Sequence, residues 1–138
     1  MEYLINFSEY SEEKRSRIAR ETKDAIILDY LAEDHEISVR ISVASNMNTS
    51  QTTLAKLVKD KNLDVRNALA LNIKSPKSVL AELANDDRFV IRLLVASNTN
   101  TSESVLAKLA DDSDEDVRKA VARNMNTPYE IIAKLKEN

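Results

Sequence analysis

The chain has 138 residues, of which 43% are hydrophobic and 31% are charged, and its formal net charge is −3. This balance is typical of one folded soluble domain and gives no overall attraction to nucleic acid. The chain has no cysteine, which excludes disulfides, thiolate-bound metals and iron–sulfur ligation, and it has no apolar run near the roughly 18 residues of a membrane span.

The N-terminal part of the chain has no apolar periodic pattern until about residue 28. Its first ten residues, "MEYLINFSEY", lack the basic and apolar regions of a signal peptide, so we expect a cytoplasmic protein. A basic segment follows, and two interpretations of it stay open: contact with phosphates, or a polar cap over the first structural unit. The cations that would contact phosphates are Lys14, Arg15, Arg17 and Arg20.

A 26-residue interval organises the rest of the chain. The units are 39–64, 65–90, 91–116 and 117–138, and residues 1–38 form an N-terminal cap with a degenerate first unit. We therefore predict a single solenoid domain over residues 1–138. The recurring rows are asparagines 46, 72, 98 and 124, arginines 40, 66, 92 and 118, aspartates 34, 60, 86 and 112, and the apolar row Leu54, Leu80, Leu106 and Ile132.

Each unit contains two apolar segments, which in the unit 39–64 read "VRISVASN" and "TSQTTLAKLV". Val39 and Val43 in the first segment, and Leu54 and Leu57 in the second, have the spacing of one helix face. The alternation of a strand is missing. The unit is therefore predicted to be two short helices joined by a turn, and parts of them are expected to be 3₁₀ because so short a unit leaves little length for two full α-helices.

The asparagine and hydroxyl rows are predicted to stop one helix and start the next. In a chain without glycine, each asparagine is expected to take the left-handed conformation that ends the first helix. The hydroxyls of Thr49, Ser75, Thr101 and Thr127 are expected to cap the second helix, with Pro76 and Pro128 at its first position. "TPYE", from Thr127, has the spacing of a capping box. The aspartate row is expected to cap or precede the first helix in the same way.

The segment "LAKLADDSDEDVRKAVARNMNTP", Leu106 to Pro128, resembles the leucine-rich repeat variant family, and the likeness recurs in register over about residues 28–138. The resemblance implies an all-α, right-handed superhelical solenoid of two-helix repeats with alternating α and short or 3₁₀ helices, similar to HEAT solenoids. The first-described family member binds an iron–sulfur cluster through cysteines. That function is not transferred to this chain, which has no cysteine.

Two kinds of surface position are candidates for binding a partner. The arginine row either clamps an anionic partner or stays within the chain, with each stem packed on the next unit and each head bound to an aspartate or a helix-end carbonyl. Positions that vary between units on the first helix are the other candidates. The full predicted partner-binding face is Arg40, Ile41, Arg66, Leu71, Arg92, Leu93, Arg118, Lys119 and Arg123.

The sequence contains no catalytic, cofactor or metal motif, so we expect a protein that is not an enzyme and needs no cofactor. The acidic run Asp111 to Asp116 offers carboxylates to a divalent cation, or serves only as the start of a helix. His35 is the only histidine and lies between Asp34 and Glu36, where a solvated turn is expected.

We predict a scaffold that binds a protein or peptide. A second hypothesis is a nucleic-acid-binding module like the HEAT-like alkylpurine DNA glycosylases, although aromatic residues are only 4% and tryptophan is absent. A third is a purely structural or designed repeat protein.

Two outcomes are open for the C-terminal unit, because no later unit covers Ile131, Ile132 or Leu135: weak self-association, or a last helix that turns enough to bury itself on the unit 91–116. We predict weak self-association. Sedimentation equilibrium over a wide concentration range should show a reversible rise in average mass. The change Leu135→Lys should abolish that rise. A strict monomer at the highest concentration would contradict the prediction.

Overall fold

The computed structural model describes residues 5–137, which form helices and turns and contain no strand. The predicted cap begins in residues 1–4 and the predicted fifth unit ends at residue 138, and these positions lie outside the described residues. We call the longer helix of each unit the first helix: α1 (Glu12–Glu21), α3 (Ile37–Ser45), α5 (Leu63–Leu71), α7 (Phe89–Ser97) and α9 (Glu115–Arg123). The shorter second helices are α2 (Ala25–Leu31), α4 (Gln51–Leu57), α6 (Lys77–Leu83), α8 (Glu103–Leu109) and α10 (Tyr129–Lys136).

The helices form two layers, as expected for a helical repeat solenoid. Each first helix packs on the first helices of the neighbouring units, and the second helices lie alongside them. The second helices are short, as predicted, but they are α-helices. A 3₁₀ turn is described at Phe7–Glu9, ahead of the repeats.

The recurring apolar rows form the core between the layers. The first helices contribute one branched side chain at each of two positions a turn apart, for example Val39 and Val43, and these have no exposed surface. The second helices contribute two leucines, for example Leu54 and Leu57, of which at most 4% is exposed. The prediction that these rows are core is confirmed for the central units.

The C-terminal unit departs from this pattern. In α10, Ile132 and Leu135 are only half-buried, and Ala122 on α9 is exposed although its equivalent Ala96 is buried. Stacking of one unit on the next therefore completes the burial of these positions elsewhere in the solenoid.

The asparagine row ends the first helices, but the predicted left-handed conformation is wrong. Asn72 has φ −74° and ψ 114°, and no positive φ occurs between residues 5 and 137. The chain leaves each helix in extended geometry, and the asparagine oxygen accepts the N–H two residues later, as Asn72 Oδ1 does from Lys74 at 2.8 Å. A side-chain hydrogen bond thus makes the turn that a left-handed residue would otherwise make.

The same asparagine side chains tie each unit to the one before it. Asn72 Nδ2 donates to the carbonyl oxygens of Ala44 at 2.9 Å and Asn46 at 3.4 Å. Asn98 and Asn124 repeat this geometry one and two units later. Every asparagine in the row is at least 93% buried, so these bonds satisfy carbonyls that water does not reach.

The hydroxyl row does not cap the second helices, which corrects the prediction. Thr49 Oγ1 donates backward to the carbonyl of Val43 at 2.7 Å, within the last turn of the preceding helix. Equivalent bonds of 2.6–2.7 Å are made by Ser75, Thr101 and Thr127.

The second helices begin one residue later than the prediction placed them. The caps are Ser50 and Ser102, whose hydroxyls accept first-turn N–H groups, and in the other two units Pro76 and Pro128, which precede the helix without a side-chain cap. The capping box predicted at Thr127 does not form, because α10 begins after Pro128 and places Thr127 one position ahead of the cap, where its hydroxyl donates to the carbonyl of Val121.

The change Asn72→Ala should lower the free energy of unfolding by about 2–3 kcal/mol, because it leaves buried carbonyls without their donor. The matched control is Asn67→Ala on the same helix, where Oδ1 is buried without a partner in the described chain. The control should change stability by less than about 1 kcal/mol. Urea unfolding of both variants checks this, and equal losses would contradict the inter-unit role of Asn72.

Candidate interaction surface

Arg15 and three arginines of the row form a ladder of ion pairs along the solenoid. Each Nε donates to a carboxylate oxygen in the turn that precedes the next first helix, at 2.7–2.8 Å, and three of the four pairs add a second bond from Nη2 at 3.2–3.5 Å. The charge-assisted fork of arginine suits a carboxylate held in this way. The pairs are Arg15–Asp34, Arg40–Asp60, Arg66–Asp86 and Arg92–Asp112.

Each arginine also binds the backbone of the turn that precedes its own helix. Nη1 of Arg66 donates to the carbonyl of Asp60 at 3.0 Å, and Arg40, Arg92 and Arg118 make the same bond to the residue six positions earlier. The side chains of the three central arginines are only 16–21% exposed. This geometry favours the structural role of the row over a clamp for an anionic partner. The aspartate position following Arg118 would be residue 138, outside the described residues.

The aspartates complete both the ladder and the helix start. Asp112 precedes α9 as predicted, and its Oδ1 accepts the N–H of Asp114 at 2.9 Å. Burial by itself raises the pKa of Asp112, but the hydrogen bonds from Arg92 and from the Asp114 N–H outweigh it, so the pKa lies below its ordinary value. The pKa of Asp34 is lowered by the same balance, with Arg15 as the donor.

The fold places the residues of the basic N-terminal segment in different environments. Arg15 is 93% buried and is the first rung of the ladder, so it is not available to phosphates. Lys14 Nζ lies 3.7 Å from the centre of the Tyr10 ring. Arg17 and Arg20 are exposed and share a cleft between α1 and α3 with two glutamates. The sequence missed the role of Arg15 because it lies one position closer to Arg40 than the repeat interval requires.

The varying positions of the first helices form a mixed surface. Leu71 is 62% exposed at the end of α5, and Ile41 and Leu93 are half-buried one helix to either side. Lys119 and Arg123 line an open cleft of about 380 Å³ together with Leu93. The structure therefore brings three of the predicted face residues into one cleft.

Two exposed apolar residues on α7 extend this surface. Phe89 and Val90, at the start of the helix, are 44% and 43% exposed, and neither belongs to the predicted partner-binding face. Their helix positions are occupied in the other units by Ile37, Leu63 and Glu115, and by Ser38, Asp64 and Asp116. A comparison of these two rows across the units would have marked them as variable.

The remaining candidates make local interactions. In the acidic run, Asp114 caps α9, Glu115 pairs with Lys119 at 3.0 Å, and Asp111 pairs with Lys134 at 3.5 Å. No group of three or more acidic or histidine side chains is placed to hold a metal ion in residues 5–137. The His35 side chain is 81% exposed beside Asp34 and Glu36.

A scan against protein-family models and a search of curated proteins found no match to this chain. Its architecture defines it as an all-helical repeat protein. None of the helices described is long and apolar enough to cross a membrane.

Removing one rung of the ladder should destabilise the solenoid. Arg66→Ala is expected to lower the free energy of unfolding by about 3 kcal/mol, because Asp86 loses its partner and the carbonyl of Asp60 loses a donor. The control is Arg88→Ala, an exposed arginine whose side chain makes no hydrogen bond in the described chain, and it should cost less than about 0.5 kcal/mol. A fully stable Arg66→Ala protein, measured by urea unfolding, would contradict the structural role.

The ladder should also make stability depend on acid pH. Asp112 has a lowered pKa when folded, so its stabilising contribution is complete above its unfolded pKa, near about 3.9, and is lost as pH falls through the folded value. Asp112→Asn should therefore reduce stability at pH 7 and give a flatter decline below about pH 4 than the parent shows. Asp64→Asn is the control, since Asp64 is exposed and makes no ion pair in the described chain. Unfolding curves between pH 7 and pH 2.5 test this, and parallel declines for parent and Asp112→Asn would count against it.

Proposed function

We propose that this protein is a non-enzymatic repeat scaffold of the leucine-rich repeat variant type that binds a protein or peptide across the outward side of its first helices. The observation that carries the proposal is Leu71, which is 62% exposed on the same helix that buries Leu69 completely. A large apolar side chain left in water beside other partly exposed apolar groups is typical of an interaction site. Ile41 and Leu93, on the first helices to either side, are those neighbours.

The contrast with the second helices supports this choice of surface. On that layer, cations pair with acids of a neighbouring unit, as Lys56 does with Asp29 at 3.2 Å and Lys59 with Glu82. Such a surface is already matched in charge and is well solvated. The closer packing among the first helices favours a solenoid whose concave side is formed by the first helices, which would surround a bound segment on several sides.

Nucleic acid is the weaker candidate. Arg15 is engaged in the ladder, and the exposed Arg17 and Arg20 share their cleft with Glu12 and Glu13. A phosphate backbone that follows the length of this cleft would meet these carboxylates as well as the arginines. The proposal includes no cofactor and no catalytic residue, and the cytoplasmic location stays a prediction from the sequence.

Selection from a phage-displayed library of random peptides tests the proposal. Peptides enriched on the immobilised protein should bind it in fluorescence polarisation and should bind the Leu71→Glu variant about tenfold more weakly, which corresponds to losing about 1.4 kcal/mol of apolar contact. The control is Ile26→Glu, since Ile26 is 75% exposed on the second helix α2. Both variants should melt like the parent.

Peptides that bind Leu71→Glu as well as the parent, or that lose binding only to Ile26→Glu, would overturn the proposal. Enrichment of no peptide at all would have the same meaning.

A further inference from the structure

Five exposed residues stand in one row at the ends of the first helices. Four of them are the last residues of α3, α5, α7 and α9. The fifth lies on α1, where the shortened spacing between Arg15 and Arg40 places Arg20 at the position of Ser45. We call these residues the end row: Arg20, Ser45, Leu71, Ser97 and Arg123.

Two contacts support the placement of Arg20. Asn46 Nδ2 donates to the carbonyl of Ala19 at 2.8 Å, as Asn72 Nδ2 donates to that of Ala44 at 2.9 Å. Ala19 and Ala44 are therefore equivalent, and so are the residues that follow them. The end row reads arginine, serine, leucine, serine, arginine, with its only apolar side chain at the centre.

The two arginines of the end row make no ion pair among residues 5–137. Acids do stand on the same helices, since Glu12 and Glu13 share the Arg20 cleft and Asp116 shares the Arg123 cleft. Each acid is seven or eight residues before its arginine, a rise of roughly 10–12 Å along the helix, which places it toward the other edge of the surface. Lys119, between Asp116 and Arg123, pairs with Glu115. The end row itself is basic at both ends and neutral between them.

Resting on the proposed function, we propose that the ligand is an extended peptide segment with one apolar anchor on Leu71 and an acidic residue at each end for Arg20 and Arg123. Neighbouring first helices pack about 10 Å apart, so each arginine lies roughly 20 Å from Leu71. An extended chain rises about 3.3 Å per residue, so the acids belong about six positions on either side of the anchor.

An extended segment fits the row better than a helix or a nucleic acid does. Its backbone has free N–H and C=O groups, whereas a helix has already satisfied its own. The exposed hydroxyl of Ser45 can bond to either group, and that of Ser97, which donates to the carbonyl of Leu93, can accept from an N–H. A nucleic acid has a negative charge at every nucleotide. Its phosphates over Ser45, Leu71 and Ser97 would meet no cation in the end row.

Short synthetic peptides labelled with fluorescein test the inference directly. The parent probe has a central leucine with glutamate six positions to each side, the second has lysines in place of the glutamates, the third has the glutamates three positions away, and the fourth has serine in place of leucine. The parent probe should bind about tenfold more tightly than each of the others, as two charge-assisted contacts and one buried anchor would give. A single-stranded oligonucleotide with the same net charge as the parent probe should compete poorly.

Charge reversal in the protein supplies the matched comparison. The double variant Arg20→Glu with Arg123→Glu should prefer the lysine probe, while Lys61→Glu with Lys108→Glu, an equal change of charge on exposed residues outside the end row, should keep the parent preference. Circular dichroism melts should show all variants folded.

Equal binding of the glutamate and lysine probes, an unchanged preference in the Arg20 and Arg123 variant, or tighter binding of the oligonucleotide would overturn the inference. Library peptides that depend on Leu71 but show no acidic preference would leave the proposed function standing and refute this inference alone. Library peptides that do not depend on Leu71 would refute both.

Discussion

The structure depends on one interaction, the carboxamide of the asparagine row. The two polar atoms of the carboxamide have different functions. Oδ1 accepts the hydrogen bond that makes the turn of its own unit, and Nδ2 donates to carbonyls of the unit before. Either function alone could be met by other residues, such as glycine at the turn. Only a side chain with an acceptor and a donor on one planar group makes the turn and joins the units at once. This requirement explains how a chain without glycine turns sharply after α3, α5, α7 and α9.

A second tie at the opposite end of the first helices fixes their alignment. The arginine of one first helix binds the aspartate in the turn before the next first helix, and that aspartate also orders the turn. The first helices α3, α5, α7 and α9 are therefore held at both ends, by asparagine at the finish and by the arginine–aspartate pair at the start. The second helices have apolar contacts and a few surface ion pairs between units. The layer of first helices is consequently the more closely packed of the two layers.

This alignment matters for function because it sets the distances between surface side chains on neighbouring first helices. The residues that form these hydrogen bonds and ion pairs recur in every unit, so they cannot give the protein a preference for one partner over another. The residues of the end row do not form these bonds. In that row Leu71 lies between Arg20 and Arg123, each of which is two first helices away. Specificity is thus expected from residues that vary on a scaffold whose repeating residues set the distances.

The sequence by itself determined the helices, their pairing into units and the core rows. Local periodicity encodes those features, since an apolar stripe such as Val39 with Val43 can be buried only against neighbouring units. It could not determine what the asparagine and threonine side chains bind, because the left-handed turn and the cap were equally consistent with their positions. The tertiary structure decided what these side chains bind. It also placed Arg15 in the ladder, although Arg15 does not fit the repeat interval. The physical reason is that the asparagine and arginine donors find their acceptors 19 to 28 residues away, where no local pattern records the direction of a hydrogen bond. The threonine bond spans only six residues, but its position in the sequence does not show whether the hydroxyl donates backward or accepts from the next helix.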